Sequence, residues 1–287
     1  MPGQLRRGYS IHVGVGHTTC RDPGGYAYSL GALRSVPQVA RDMADIAKRT
    51  GYQSLGLLIT PPLGTIEDAI AAQSESAQAD YGSGRLRRAT KENFFAAVDV
   101  AIRQIGQDDQ LLITFAGHGA QQVHLTDPPK TETGWVFEDD HCWDSEIETK
   151  LNTAARNARI LIISESCHSG SLTAAGDVPD NTSRLVVEER FNPSIIQIGA
   201  AYDSELAHIV NDEFVFTTCL KSVWASGSFQ GGHAAFADKI RLQMRDRFGA
   251  SGDGKHWQEP RYLATGPAED TLRAFEQSTP FLLYDRF

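Results

Sequence analysis

Hydrophobic and polar positions along this chain follow two regimes. Short apolar runs are separated by longer stretches in which apolar residues recur every three or four positions. The segments 9–15, 53–60, 110–116, 159–164 and 194–201 predict strands, and the runs at 110–116 and 159–164 are apolar enough to be buried on both faces. A shorter run at 261–264 predicts one more strand. Between them the period lengthens. From Val36, the residues Val39, Met43, Ile46 and Ala47 share one helical face, Pro37 sits in the first turn and Gly51 closes the segment. Thr90 can cap a second helix whose apolar stripe is Phe94, Phe95, Val98, Ile102 and Ile105. Further helices are predicted over 144–158, 214–225 and 233–247. Strands alternating with helices imply an α/β fold: a central, mostly parallel six-stranded sheet with helices on both faces.

Two stretches break the pattern. Residues 61–90 are rich in Gly, Ser, Ala and Gln and read as an insertion. Residues 171–190 are polar, contain Gly176, Pro179 and Asp180-Asn181, and read as an exposed loop. There is no internal repeat and no linker, so the 287 residues are expected to form one domain over 1–287.

Two predicted strands end in reactive side chains. Gly117-His118-Gly119 follows the 110–116 run, and Glu165-Ser166-Cys167-His168-Ser169-Gly170 follows the 159–164 run. Parallel strands would bring His118 and Cys167 to the carboxyl edge of the sheet, where open α/β folds build their sites. A free thiol with a pKa of about 8.5 is mostly protonated at neutral pH, so a nucleophilic cysteine needs help. An imidazole can stabilise the thiolate and then protonate a leaving amine. The flanking glycines let a substrate backbone approach closely, and a helix beginning near Gly170 would aim N–H groups at the sulfur. A lone apolar-flanked cysteine is usually inert. Two Gly-flanked groups at two strand ends point instead to a thiol–imidazole dyad. His168 is the rival base, but adjacent residues of an extended segment face opposite ways, which favours His118.

Composition narrows the remaining options. The chain is 41% hydrophobic and 22% charged, as expected of a globular protein with a full core. No run approaches the roughly 18–20 apolar residues of a membrane span. The basic residues near Met1 precede no apolar run, so neither a membrane anchor nor a secretory signal is expected. The four cysteines, Cys20, Cys142, Cys167 and Cys219, are spread without a CxxC, which suits a reducing, cytoplasmic setting. A net charge of −9 argues against nucleic acid as a partner. The basic cluster Arg85-Leu86-Arg87-Arg88 reads as a solvated loop. A cysteine phosphatase would need Arg where Thr173 stands. There is no GxSxG elbow, and Gly227–Gly232 leads into His233 rather than a phosphate-loop lysine. His12, His17 and Cys20 match no common zinc spacing.

At the two motifs the chain resembles the caspase-like cysteine peptidases, and among them the metacaspases and their bacterial relatives. Phe115-Ala116-Gly117-His118-Gly119-Ala120-Gln121 resembles the family's His motif, and Glu165-Ser166-Cys167-His168-Ser169-Gly170-Ser171 its Asp-Ser-Cys-His-Ser-Gly-Ser motif. The 49 residues from His118 to Cys167 (167 − 118) compare with about 50 in caspases. Weaker similarity follows Leu33 to Met43, Glu132 to Trp135, Asp139-Asp140 with Asp144 to Ile147, Ala200 to Ala207, and Phe216-Thr217. The likeness therefore spans roughly 9–265.

The resemblance implies a caspase-like sandwich and a cysteine endopeptidase acting on a protein or peptide substrate. It implies an acyl-enzyme on Cys167, His118 as acid/base, and an oxyanion hole from the N–H groups of Gly119 and Cys167. It also implies cleavage after Arg or Lys, with Glu165 as the substrate-binding carboxylate in place of the family's Asp. Val39 stands where a second pocket Asp is expected, so a smaller or polar P1 residue is the alternative. Members bind Ca²⁺ through an acidic pair that here reads Trp143-Asp144. No cofactor is expected, and Asp139, Asp140 and Asp144 are the candidate ligands should Ca²⁺ bind. The family habit adds a zymogen, cut by itself or by an upstream activating protease near Arg85–Arg88 or in 171–190, within a bacterial defence or cell-death pathway. Rival readings are a catalytically inert caspase-like scaffold that binds a partner, and a transpeptidase or ligase on the same fold.

Overall fold

The computed structural model describes residues 6–25, 35–60, 86–126, 130–167, 184–188, 191–201, 207, 209–210, 213–248, 258–267 and 269–284. The apolar runs form the strands expected of them: β1 (Gly8–Val15), β2 (Gln53–Thr60), β4 (Gln110–Ala116), β8 (Arg159–Glu165), β10 (Ser194–Gly199) and β13 (Arg261–Gly266). Every residue of β1, β4, β8, β10 and β13 is buried, including the polar Ser10 and His12 that alternate with apolar residues in β1.

The six strands lie in the order β2-β1-β4-β8-β10-β13. The first five run parallel and β13 is antiparallel to β10. The sheet is extended by one short strand at each edge. The two-residue β3 (Leu86–Arg87) joins β2, and β9 (Arg184–Glu188) pairs parallel with β13. β9 corrects the sequence reading of 171–190 as a loop throughout, since its last part is a sheet edge. The stretch 61–85 of the expected insertion, and 171–183 and 189–190 of the expected loop, lie outside the described residues.

Helices cover both faces. On one side α2 (Lys91–Gln104) and α3 (Asp144–Leu151) pack on Ile11, Val13, Ile113, Ile160 and Ile162. On the other, α1 (Val36–Arg49), α4 (Val215–Trp224), α5 (His233–Phe248) and α6 (Glu269–Gln277) cover Leu112, Leu161, Ile163, Ile196 and Ile198. The two apolar faces follow from strand alternation: odd and even positions serve different cores. Thr90 caps α2 as its sequence suggests, its hydroxyl accepting the Asn93 N–H at 3.2 Å. α3 is shorter than the predicted 144–158. It stops at Leu151, where Asn152 turns away to accept the Asn192 N–H and the chain folds back toward β8.

A separate three-stranded antiparallel sheet, β5 (Gly119–His124), β6 (Lys130–Val136) and β7 (His141–Trp143), emerges directly from the end of β4. A small ladder of β11 (Ile209–Val210) and β12 (Glu213–Phe214) precedes α4.

Candidate active site

β4 and β8 are neighbours in parallel register, with Ala116 opposite Glu165. His118 and Cys167 each follow their strand by two residues, so both leave the sheet at the same edge. The bend between them is stitched at both ends. Gly117 donates its N–H to the Glu165 carbonyl at 3.2 Å, and the His118 carbonyl accepts the Val136 N–H at 3.0 Å. His118 and Cys167 are both half-buried. Gly119 lies directly against the backbone of Cys167: a β-carbon there would overlap the Cys167 carbonyl oxygen. Only glycine fits this contact, which gives the flanking glycine a structural reason.

The sulfur of Cys167 has backbone amides close around it. The Ala207 N–H points to Sγ at 3.4 Å. Burial pushes the thiol pKa up; the N–H groups of Ala207 and Cys167 itself draw it down, Glu165 raises it further and the Gly119 N–H lowers it. The net direction is upward, so desolvation outweighs the three amides in the ligand-free protein.

Beneath the thiol, Glu165 is buried, 1% exposed. One oxygen, Oε2, accepts the backbone N–H of Thr217 at 2.6 Å, in the first turn of α4. Phe214, the residue preceding that helix, offers no side-chain cap, and the distant carboxyl fills the role. The other oxygen, Oε1, has no hydrogen-bond partner among the described residues. Burial raises the carboxyl to about 8, against the pull of Thr217 and Gln258, so the acid is largely protonated at neutral pH. Val39 packs with Val36, Ala116 and Phe214 beside this carboxyl's strand position, forming an apolar cluster where the resemblance expected a second acid.

A polar chain supports the strand end from the opposite face. Trp135 stacks on Phe115 with ring centroids 4.6 Å apart and donates Nε1–H to Ser164 Oγ at 2.9 Å. Ser164 Oγ in turn meets Ser166 Oγ at 3.0 Å, one residue before the thiol. All three side chains are buried.

The acidic stretch does not converge. Asp139 accepts the Lys91 N–H at 2.9 Å, Asp140 pairs with the Lys91 ammonium at 3.1 Å, and Asp144 accepts from the Thr133 hydroxyl. Glu138 is engaged by Arg88 and by Thr60 Oγ1 at 2.8 Å. Among the described residues there is no group of three His, Cys, Asp or Glu side chains able to hold a metal. His12 is enclosed in β1, its Nδ1 2.9 Å from Thr114 Oγ1 and its pKa lowered to about 3 by burial. Cys20 instead faces the Phe137 carbonyl.

The sequence reading missed Ala207 and Thr217 as contributors to this site. Both act through backbone N–H groups, and side-chain identity carries no signal for that. Trp135 and Ser164 were read without a role; their contact depends on β6 lying over the end of β8. His168 lies outside the described residues.

Comparison with known proteins bears on the fold. Residues 58–175, which contain both motifs, match the family model "Metacaspase, peptidase C14 domain". No curated protein sequence matches the chain. A structural-genomics target from Geobacter sulfurreducens superposes with a TM-score of 0.65 at 21% identity, over 96% of this chain and 98% of that one. Caspase-1 from Spodoptera frugiperda superposes with a TM-score of 0.52 at 10% identity, over 93% of this chain and 89% of that one. The fold is therefore caspase-like, with the metacaspase peptidase C14 match at its centre. Among the described residues no helix is long and apolar enough to cross a membrane.

Proposed function

We propose that this metacaspase-type domain is a cysteine endopeptidase in which Cys167 is the nucleophile and His118 the general acid and base. His118 takes the thiol proton, the sulfur attacks the scissile carbonyl, and the carbonyl π-electrons move to oxygen. The N–H groups of Gly119 and Cys167 receive that negative charge, which exists only in the transition state and the tetrahedral intermediate. Collapse expels the amine, protonated by His118, and leaves a thioester that water then hydrolyses. The observation that carries this reading is the close contact of Gly119 with Cys167. It brings the imidazole's own loop against the Cys167 backbone, with the Gly119 N–H near enough to the sulfur to draw the thiol pKa down.

Cleavage after Lys or Arg is the specificity this site favours. The buried Oε1 of Glu165, without a hydrogen-bond partner among the described residues, offers an acceptor beside the apolar cluster of Val39, Ala116 and Phe214. A cation reaching Oε1 would favour the ionised carboxylate over the proton it holds alone. We further propose that the enzyme is made as a zymogen. Arg87 lies in β3, Arg88 pairs with Glu138 and Arg184 heads β9, so an activating cut at any of these must release a sheet edge or an ion pair.

Profiling against a peptide library, with Cys167→Ala and His118→Ala alongside, tests the assignment. Wild-type hydrolysis after basic residues, abolished in both variants, is expected. Cleavage that persists in Cys167→Ala would end the nucleophile assignment, and preference for acidic P1 residues would end the role given to Glu165.

A further inference from the structure

Ala207 is the third amide on the sulfur, and neither motif contains it. It lies 40 residues beyond Cys167, just before the β11–β12 ladder, and its N–H reaches Sγ at 3.4 Å. We propose that the backbone N–H of Ala207 is a catalytic donor that holds the Cys167 sulfur in its ionised, attacking form, separate from the Gly119 and Cys167 amides that serve the oxyanion.

The division of labour follows from where charge resides at each step. Before attack, negative charge sits on sulfur, balanced by the imidazolium formed when His118 takes the proton. A sulfur removed from water needs hydrogen-bond donors to keep that charge. As the C–S bond forms, charge leaves sulfur for the carbonyl oxygen. The Ala207 amide then loses its ionic acceptor, while the oxyanion amides gain one. Ala207 thus acts on the population of the nucleophile and not on the tetrahedral intermediate.

The same segment also reaches the specificity carboxyl. Ten residues after Ala207, the Thr217 N–H binds Glu165 Oε2. The backbone N–H groups of Ala207 and Thr217 therefore contact the sulfur and the acid beneath it.

The proposal rests on Cys167 being the reactive thiol of the peptidase reading, but its test needs no peptide cleavage. The pH dependence of iodoacetamide alkylation at Cys167 is measured by mass spectrometry in wild type, Ala207→Gly and Ala207→Pro. Glycine keeps the amide hydrogen, and the alkylation midpoint should stay where it is in wild type. Proline removes it, and the midpoint should rise by about one pH unit. The alkylation rate at pH 7 should then fall only about threefold, because a less stabilised thiolate is intrinsically more nucleophilic. A folded Ala207→Pro protein with the wild-type midpoint overturns the proposal.

If proline disrupts folding, hydrogen exchange tests the same contact. Removing the acceptor in Cys167→Ala should speed exchange of the Ala207 amide at least fivefold, and unchanged exchange overturns the proposal equally. Normal alkylation in a protein that cuts no peptide would count against the endopeptidase reading alone.

Discussion

Gly119 and Cys167 touch through their backbones, closely enough that the glycine has no room for a β-carbon beside the Cys167 carbonyl. This contact joins the ends of two strands whose register is fixed along their whole length, from Gln110 opposite Arg159 to Ala116 opposite Glu165. The relation between imidazole loop and thiol is thus set by the most buried part of the sheet.

Gly119→Ala should therefore separate the two strand ends. We expect kcat/KM to fall by about 100-fold or more, the scale of losing one oxyanion donor. The stability cost should be about 1–3 kcal/mol, as for other overpacked sites. Steady-state kinetics beside urea denaturation measures both, and an alanine variant with wild-type kcat/KM would show that the contact is not needed.

Glu165→Gln should change stability and specificity in opposite ways. The carboxyl is raised from 4.5 to about 8, so the folded protein keeps a proton that the unfolded chain releases between those values. Stability from this group is full below about 4.5 and is lost as pH rises toward 8. The amide variant lacks that loss, so its advantage over wild type should grow with pH to on the order of a few kcal/mol by pH 9. Denaturation at pH 5 and pH 9 reads this out. In the same protein, cleavage after Lys and Arg should drop at least tenfold, while a smaller polar P1 residue is affected less.

Ser164→Ala should weaken the support under Cys167. It leaves the Trp135 indole N–H without its acceptor in a buried site, costing about 1–3 kcal/mol. It also frees the Ser166 hydroxyl next to Cys167. A drop in melting temperature with a fall in kcat and little change in KM is expected. No change in either would mean that the polar chain is incidental.

Calcium should not control activity. Asp139 and Asp140 are held by Lys91 and Asp144 by Thr133, so gathering them around an ion would break three existing contacts. Peptidase assays with chelator and with added Ca²⁺ should give the same rate, and a strong calcium dependence would refute this.

The legible parts of the fold share one property. β4, β8 and β10 stand out because central strands are buried on both faces, and burial there selects mostly apolar residues. β5 was missed because Gln121, Gln122, Val123 and His124 are partly or largely exposed, so little of it is under apolar selection. β9, five residues at a sheet edge, was concealed within polar surroundings. α6 shows only Leu272 and Phe275 to the core. The antiparallel course of β13 was not readable either, since direction leaves no mark on composition.

The amino-acid sequence alone singled out the candidate groups: a thiol and an imidazole at two apolar strand ends, with glycines where backbones meet. These are local properties, written residue by residue. The tertiary structure decided the state of those groups. It set the amides of Gly119 and Ala207 around a sulfur distant in sequence, and it buried Glu165 against the first turn of α4 so that its carboxyl holds a proton near neutrality. The physical reason is that peptide N–H groups are nearly the same at every residue, and burial belongs to the assembled fold rather than to any one position.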